Sequence, residues 1–156
     1  LSAFKEYEYV KTLTNEESAL FNLIVKGKAS LTLNKKEDDK IISVNIYSGK
    51  GKIEIKDSQV IYNIDALGEI KVNTTNINLK DEKAYHNLND EFKKILNEKL
   101  LKFIEILKND NLDILEVNNL YYEKTRKEMN IFKSFDFKLN TNIKIDKKGL
   151  IFNFEN

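Results

Sequence analysis

The stretch DEKAYHNLNDEFKKILNEKLLKFIEILKN, residues 81–109, decides how the rest of the chain is read. At helical spacing Leu88, Phe92, Ile95, Leu96, Leu100, Phe103, Ile104 and Leu107 fall on one side. Lys93, Lys94, Asn97, Glu98, Lys102, Glu105 and Lys108 fall mostly on the other. Recurrence at i, i+3, i+4 and i+7 is the pattern of an amphipathic helix. No Gly or Pro interrupts it. Asp81 is placed to cap the start, because a short acceptor side chain there takes a free backbone N–H. Asn109, Asp110 and Asn111 end it. At 1.5 Å per residue such a helix spans roughly 40 Å. Its apolar stripe is too wide to leave in water, so something must cover it.

The flanking segments supply strand patterns for that purpose. Upstream, Val60, Tyr62, Ile64, Ala66, Gly68, Ile70 and Val72 share one parity, and Asn63, Asp65, Glu69 and Lys71 the other. Strict alternation over this length means one buried and one solvated face. Gly68 on the buried side marks a bulge or a close approach. Before it, Ile42, Val44 and Ile46 share a face, Ser48-Gly49-Lys50-Gly51 reads as a turn, and Ile53 and Ile55 continue a second strand. Lys56-Asp57-Ser58-Gln59 turns the chain again. Downstream, Phe135, Phe137, Leu139, Thr141, Ile143 and Ile145 face Asp136, Lys138, Asn140, Asn142 and Lys144 across a last long strand. Leu150-Ile151-Phe152-Asn153-Phe154 offers a further strand or an ordered tail.

The remaining segments read in the same way. Residues 4–13 form an extended entry. Thr14 with Glu17 makes a capping box, in which each side chain satisfies a backbone donor of the other. Leu20, Phe21, Leu23, Ile24 and Val25 follow, and Gly27 sits where the helix stops. Residues 29–34 are a short strand, and the charged run 35–40 a solvated loop. Residues 111–133 are helical with irregular apolar spacing. The order predicts one α+β domain over residues 1–156, a fragment of a longer chain. Its antiparallel sheet, a meander joined by the C-terminal strand, carries long helices on one face. Phe92, Leu96, Leu100 and Phe103 are expected to pack on Val44, Ile46, Tyr62, Ile64, Leu139 and Ile143.

Composition narrows the function classes. The chain of 156 residues is 41% hydrophobic and 33% charged, with 26 basic and 25 acidic side chains and a net charge of +1. Near balance leaves no electrostatic footprint for nucleic acid. Arg126 is the only arginine, and phosphate-reading sites favour the bidentate fork of Arg. The absence of Cys removes disulfides, thiolate nucleophiles and thiol metal sites. His86, the single histidine, cannot make a two-histidine metal centre. No apolar run approaches the ~18 residues of a membrane helix. Carboxylates alternate with Lys or sit in charged runs, whereas acid–base pairs need burial to separate their pKa values. Ser48-Gly49-Lys50-Gly51 lacks the spacing and the Lys-Ser/Thr ending of a phosphate loop. These residues therefore predict binding or assembly rather than catalysis, with no catalytic, cofactor or metal residue to name.

Several strings then converge on one family. Ala3-Phe4-Lys5 with the run Leu13-Thr14-Asn15-Glu16-Glu17-Ser18-Ala19-Leu20-Phe21-Asn22-Leu23 resembles the opening of the C-terminal domain of the Ger(x)C spore-germination proteins, the C subunits of germinant receptors. The resemblance continues through strand region 42–72, helix 82–108, Asn111-Leu112-Asp113-Ile114-Leu115 with Leu120-Tyr121, and the last strand 137–145 with Gly149. Glu116-Val117-Asn118 stands where the family has a Gly-containing string, and Asn130-Ile131-Phe132 where it has a Trp-containing helix end. The resemblance implies a piece of a lipoprotein whose N-terminal signal and lipid-modified Cys lie outside this chain. It implies lipid anchorage on the outer face of the spore inner membrane, A-type and B-type membrane subunits as partners, and no enzymatic activity. The isolated domain is then expected to be a soluble monomer without affinity for amino-acid germinants. On the polar sheet face Tyr47, Ile61 and Leu67 are the apolar exceptions, and a cluster of them would mark the partner-binding surface. Two rival readings stay open: a secreted or surface-anchored small-ligand-binding domain, and a hydrolase built on carboxylates.

Overall fold

In the computed structural model the protein is described over residues 2–5 and 8–146; the strand expected at 150–154 lies outside them. The elements are β1 (Ser2–Lys5), β2 (Glu8–Thr12), α1 (Asn15–Val25), β3 (Lys28–Glu37), β4 (Lys40–Lys56), β5 (Gln59–Asn73), α2 (Glu82–Asn109), α3 (Val117–Thr125), α4 (Ile131–Ser134) and β6 (Asp136–Asp146). The extended entry is a hairpin, β1 against β2. The main sheet has the order β3-β4-β5-β6.

Both expected helix starts form. The Thr14 hydroxyl accepts the Glu17 N–H at 3.1 Å, and the Glu17 carboxylate accepts the Thr14 N–H at 2.8 Å. The Asp81 carboxylate accepts the Lys83 N–H at 2.9 Å. Phe92, Leu96, Leu100 and Phe103 of α2 enter one buried cluster with Val44, Ile46, Tyr62, Ile64 and Ile143, while Leu139 packs half-buried against it.

The last strand corrects the antiparallel expectation. β6 pairs with β5 in parallel, with Tyr62 opposite Leu139 and Ile64 opposite Thr141. The cause is α2. Its first turns meet the end of β6 and its last turn meets the start, through Tyr85 to Ile145 and Lys108 to Phe135. The helix therefore carries the chain back along the sheet, and a strand entered after such a crossover runs parallel to the one before it.

Four local readings also change. Ser48-Gly49-Lys50-Gly51 is not a turn, because β4 runs unbroken through it for 17 residues. The glycines instead make room for α1: a Cβ on Gly51 would lie 1.9 Å from the Ile24 carbonyl oxygen. The charged run 35–40 is strand and tight turn, with Lys35 on the helix-covered face, paired to Glu91 of α2 at 2.7 Å. Val72 is exposed, not buried, because a register shift between Ser43 and Val44 sets it opposite Ser43. Residues 111–133 form two short helices rather than one. Arg126, at a φ of 58° in the left-handed region, closes α3.

The α2 side chains Tyr85, Asn89 and Lys108 cover the ends of β6. The Tyr85 hydroxyl donates to the Ile145 carbonyl at 2.6 Å, and the Asn89 side-chain oxygen accepts the Ile145 N–H at 3.1 Å. The Lys108 ammonium donates to the Phe135 carbonyl at 2.7 Å.

Phe103→Ala is expected to lower unfolding free energy by about 3–5 kcal/mol, measured by urea denaturation; an unchanged midpoint would show that α2 does not bury this face. Gly51→Ala, which drives a methyl into the α1 backbone, is expected to cost about 1–3 kcal/mol. A Gly51→Ala midpoint equal to the parent's would refute the close approach.

Candidate functional site

The sheet has two unlike faces. Leu31, Leu33, Ile42, Val44, Ile46, Tyr62, Ile64, Ile143 and Ile145 look toward the helices and are buried. The opposite parity presents Thr32, Asn34, Lys50, Lys52, Asp65, Lys138, Asn140, Asn142 and Lys144 to solvent. Polar side chains on this outer face satisfy one another: Asn140 donates to Asn63 at 2.9 Å, Ser43 donates to Asn34 at 2.6 Å, and Lys52 pairs with Glu54.

Tyr47 and Leu67 interrupt this polar surface, 42% and 40% exposed. The β4–β5 register explains why they meet. Ile46 pairs with Gly68 and Ser48 with Leu67, so Tyr47 is the extra residue of a bulge beside Leu67. Ile61 does not join them. It lies six residues along β5, roughly 20 Å away, half-buried between its partners Glu54 and Lys138. Val72, 41% exposed, is a further apolar residue on this face. Alternation alone places it inside, because a bulge leaves no mark in the pattern of apolar residues.

The hydrolase reading requires two buried carboxylates in one cleft. A cleft of about 450 Å³ lies among the β1–β2 hairpin, Phe21 of α1 and the loop after α2. Asp113 and Glu116 both line it, but Glu116 is exposed. Burial pushes the Asp113 carboxyl above its ordinary pKa, against the pull of two backbone donors, Val117 N–H at 2.9 Å and Asn118 N–H at 2.7 Å. Asp113 therefore caps α3. It has to, because Glu116 at the cap position is in the left-handed region, with a φ of 58°, and makes no side-chain cap bond. Burial, helped by the nearby Asp113 charge, likewise raises the pKa of the Tyr62 hydroxyl. His86 is exposed, its ring 5.9 Å from that of Tyr85. Among the described residues no group of three His, Cys, Asp or Glu is placed to hold a metal ion.

A second hollow, of about 430 Å³, lies where the middle of α2 meets β6. Lys93 and Asn97 line one side, the β5 residues Asn63, Ile64 and Asp65 and the β6 residues Leu139, Asn140, Thr141 and Asn142 the other. Thr141 is the one polar residue in the inward row of β6 and is 5% exposed. Its hydroxyl and the Asn97 side-chain oxygen are both buried without a hydrogen-bond partner. Each such orphan costs about 1–3 kcal/mol. No described helix is long and apolar enough to cross a membrane.

Comparison with known proteins agrees with this architecture. Residues 1–149 match the family model described as spore germination B3/GerAC like, C-terminal. Among solved structures, the crystal structure of the GerBC protein superposes with a TM-score of 0.69 at 16% identity, covering 89% of this chain and 48% of that one. The chain thus spans about half the length of that protein, and at this identity the likeness is one of fold. No curated protein matches.

The left-handed Glu116 generates a test. A non-glycine residue there costs about 1–2 kcal/mol, and glycine's extra chain entropy offsets about 0.5–1 kcal/mol of the relief. Glu116→Gly is therefore expected to stabilise the fold by about 0.5–1 kcal/mol, read as a higher thermal midpoint. A lower midpoint would mean that the Glu116 side chain makes a stabilising contact.

Proposed function

The chain belongs to the spore germination B3/GerAC-like C-terminal family, and from that membership we propose that it is a non-enzymatic assembly module of a nutrient-germinant receptor. In this reading it forms part of a C-type subunit held by a lipid anchor on the outer face of the spore inner membrane. There it contacts A-type and B-type membrane subunits. The family match over residues 1–149 carries the reading. It is supported by what the site offers: Asp113 is engaged in capping, and no described element covers the outer sheet face.

The contact surface we assign is that outer face, centred on Tyr47 and Leu67, with Ile61 as an outlying contact. An exposed aromatic beside a branched aliphatic residue, ringed by amides and paired charges, has the makeup of a small interface centre with a polar rim. Polar surroundings mean that charges introduced here do not disturb the core.

The test uses the full-length spore protein. Tyr47→Lys combined with Leu67→Glu is expected to weaken association with the membrane subunits by roughly tenfold or more and to slow nutrient-triggered germination at normal protein level. Triggers that bypass the receptor are unaffected. Ile61→Lys has a smaller effect, because it lies apart from the pair. Normal nutrient germination in the double variant removes this face from the reading.

A further inference from the structure

The cleft beside the β1–β2 hairpin has a charged lining of one sign. Asp113 and Glu116 border it together with Ser2, Asn111 and Asn118, and no Lys, Arg or His does. Lys11 of β2 is held elsewhere, by Glu17 at 3.3 Å and Asp110 at 3.5 Å. Phe21 of α1 and Ile114 of the loop after α2 supply an apolar wall. Asp113, Phe21 and Ile114 are half-buried and Glu116 is exposed, so all four keep surface that a ligand can touch. We propose that this cleft binds a small organic cation, a primary ammonium carried on a short hydrocarbon chain.

Size admits such a ligand. At about 450 Å³ the cleft falls within the ~300–1,000 Å³ of small-molecule sites. Charge then selects the sign. The Asp113 carboxylate already accepts the Val117 and Asn118 N–H groups. An ionised carboxylate offers about four lone-pair sites, so capacity for a ligand remains. Burial raises the Asp113 carboxyl despite those two donors, and a cation beside it offsets that cost. An ammonium group brings three donors and no acceptor, which suits carboxylates. An anion would give up its hydration opposite Asp113 and Glu116 with no counter-charge. A zwitterionic amino acid carries such a carboxylate and is disfavoured for the same reason. A neutral alcohol gains hydrogen bonds but no charge attraction. The hydrocarbon is selected by the opposite wall, because Phe21 and Ile114 offer surface that gains from apolar contact. A bare metal ion lacks that contact, and among the described residues no group of three His, Cys, Asp or Glu is placed to hold one. This binding is separate from the assembly role of the outer sheet face, and its test does not depend on germination.

The experiment titrates the isotope-labelled chain with n-butylammonium, following backbone amide resonances. Butyrate and n-butanol serve as anionic and neutral comparisons of the same chain length. Saturable shifts are expected across residues 111–118 and at Phe21 with n-butylammonium alone. Asp113→Asn keeps a side-chain oxygen for the α3 cap and removes the charge. It is expected to weaken binding by about tenfold or more. Glu116→Lys reverses the exposed charge at the rim and removes no cap bond, since Glu116 makes none. It is expected to weaken binding by about threefold or more, and it carries the test alone should Asp113→Asn fail to fold. The proposal is overturned by the absence of saturable shifts, by equal shifts with butyrate or n-butanol, or by unchanged affinity in folded Asp113→Asn or in Glu116→Lys.

Discussion

Everything in this molecule depends on one burial: the apolar stripe of α2 against the inward face of a four-stranded sheet. Leu88, Phe92, Leu96, Leu100, Phe103, Ile104 and Leu107 are all sealed from water. Each fully buried side chain of this kind contributes about 1.5–3 kcal/mol relative to exposure. The same helix fixes the direction of the final strand, carries the residues that cover its ends, and forms one wall of the hollow beside Thr141. The smaller α1 completes the cover of the same face, and there the sheet adapts to the helix. Gly49 and Gly51 have no side chains because Leu23 and Ile24 occupy that space.

The outer face follows a different logic. Asn140 bonds Asn63 and Ser43 bonds Asn34 across strands, and Lys52 pairs with Glu54 along β4, among which Tyr47 and Leu67 form an apolar pair. A bulge makes that pair, by adding one residue to β4 opposite β5. Irregular pairing that re-aims a side chain is a common device near sites of recognition. Here it places an aromatic ring beside a branched aliphatic side chain on a mostly polar surface.

What could be read from residues alone divides along physical lines. The capping box at Thr14, the cap at Asp81, the stripe of α2 and the alternation of β5 are local or periodic, and all were legible. Strand direction was not, because alternation is the same in parallel and antiparallel pairing; only the path of α2 distinguishes them. Gly49 and Gly51 were misread as a turn because glycine is used equally for positive φ and for close approach. The bulges that expose Val72 and bring Tyr47 to Leu67 arise from pairing between strands. Tyr47 and Leu67 were therefore identifiable singly as apolar exceptions, but their adjacency, and the separation of Ile61, were not. The hollow beside Thr141 was invisible for the same reason: Asn97 reads as an ordinary polar helix position until β6 is set against it.

The parallel pairing of β5 with β6 also has a consequence for how the chain acquires its shape. β3, β4 and β5 are joined by tight turns at Asp38-Asp39 and Asp57-Ser58, so their contacts are local and can form early. β6 finds β5 only across the whole of α2, α3 and α4, with partners such as Asn63 and Asn140 separated by 77 residues. Long-range pairing of this kind slows folding, since chain entropy is lost before contacts compensate it. As the chain emerges from the ribosome, β5 therefore waits with an open edge until β6 is made. That open edge is a place where nascent chains can self-associate, so α2, which brings β6 to it, also closes the sheet against aggregation.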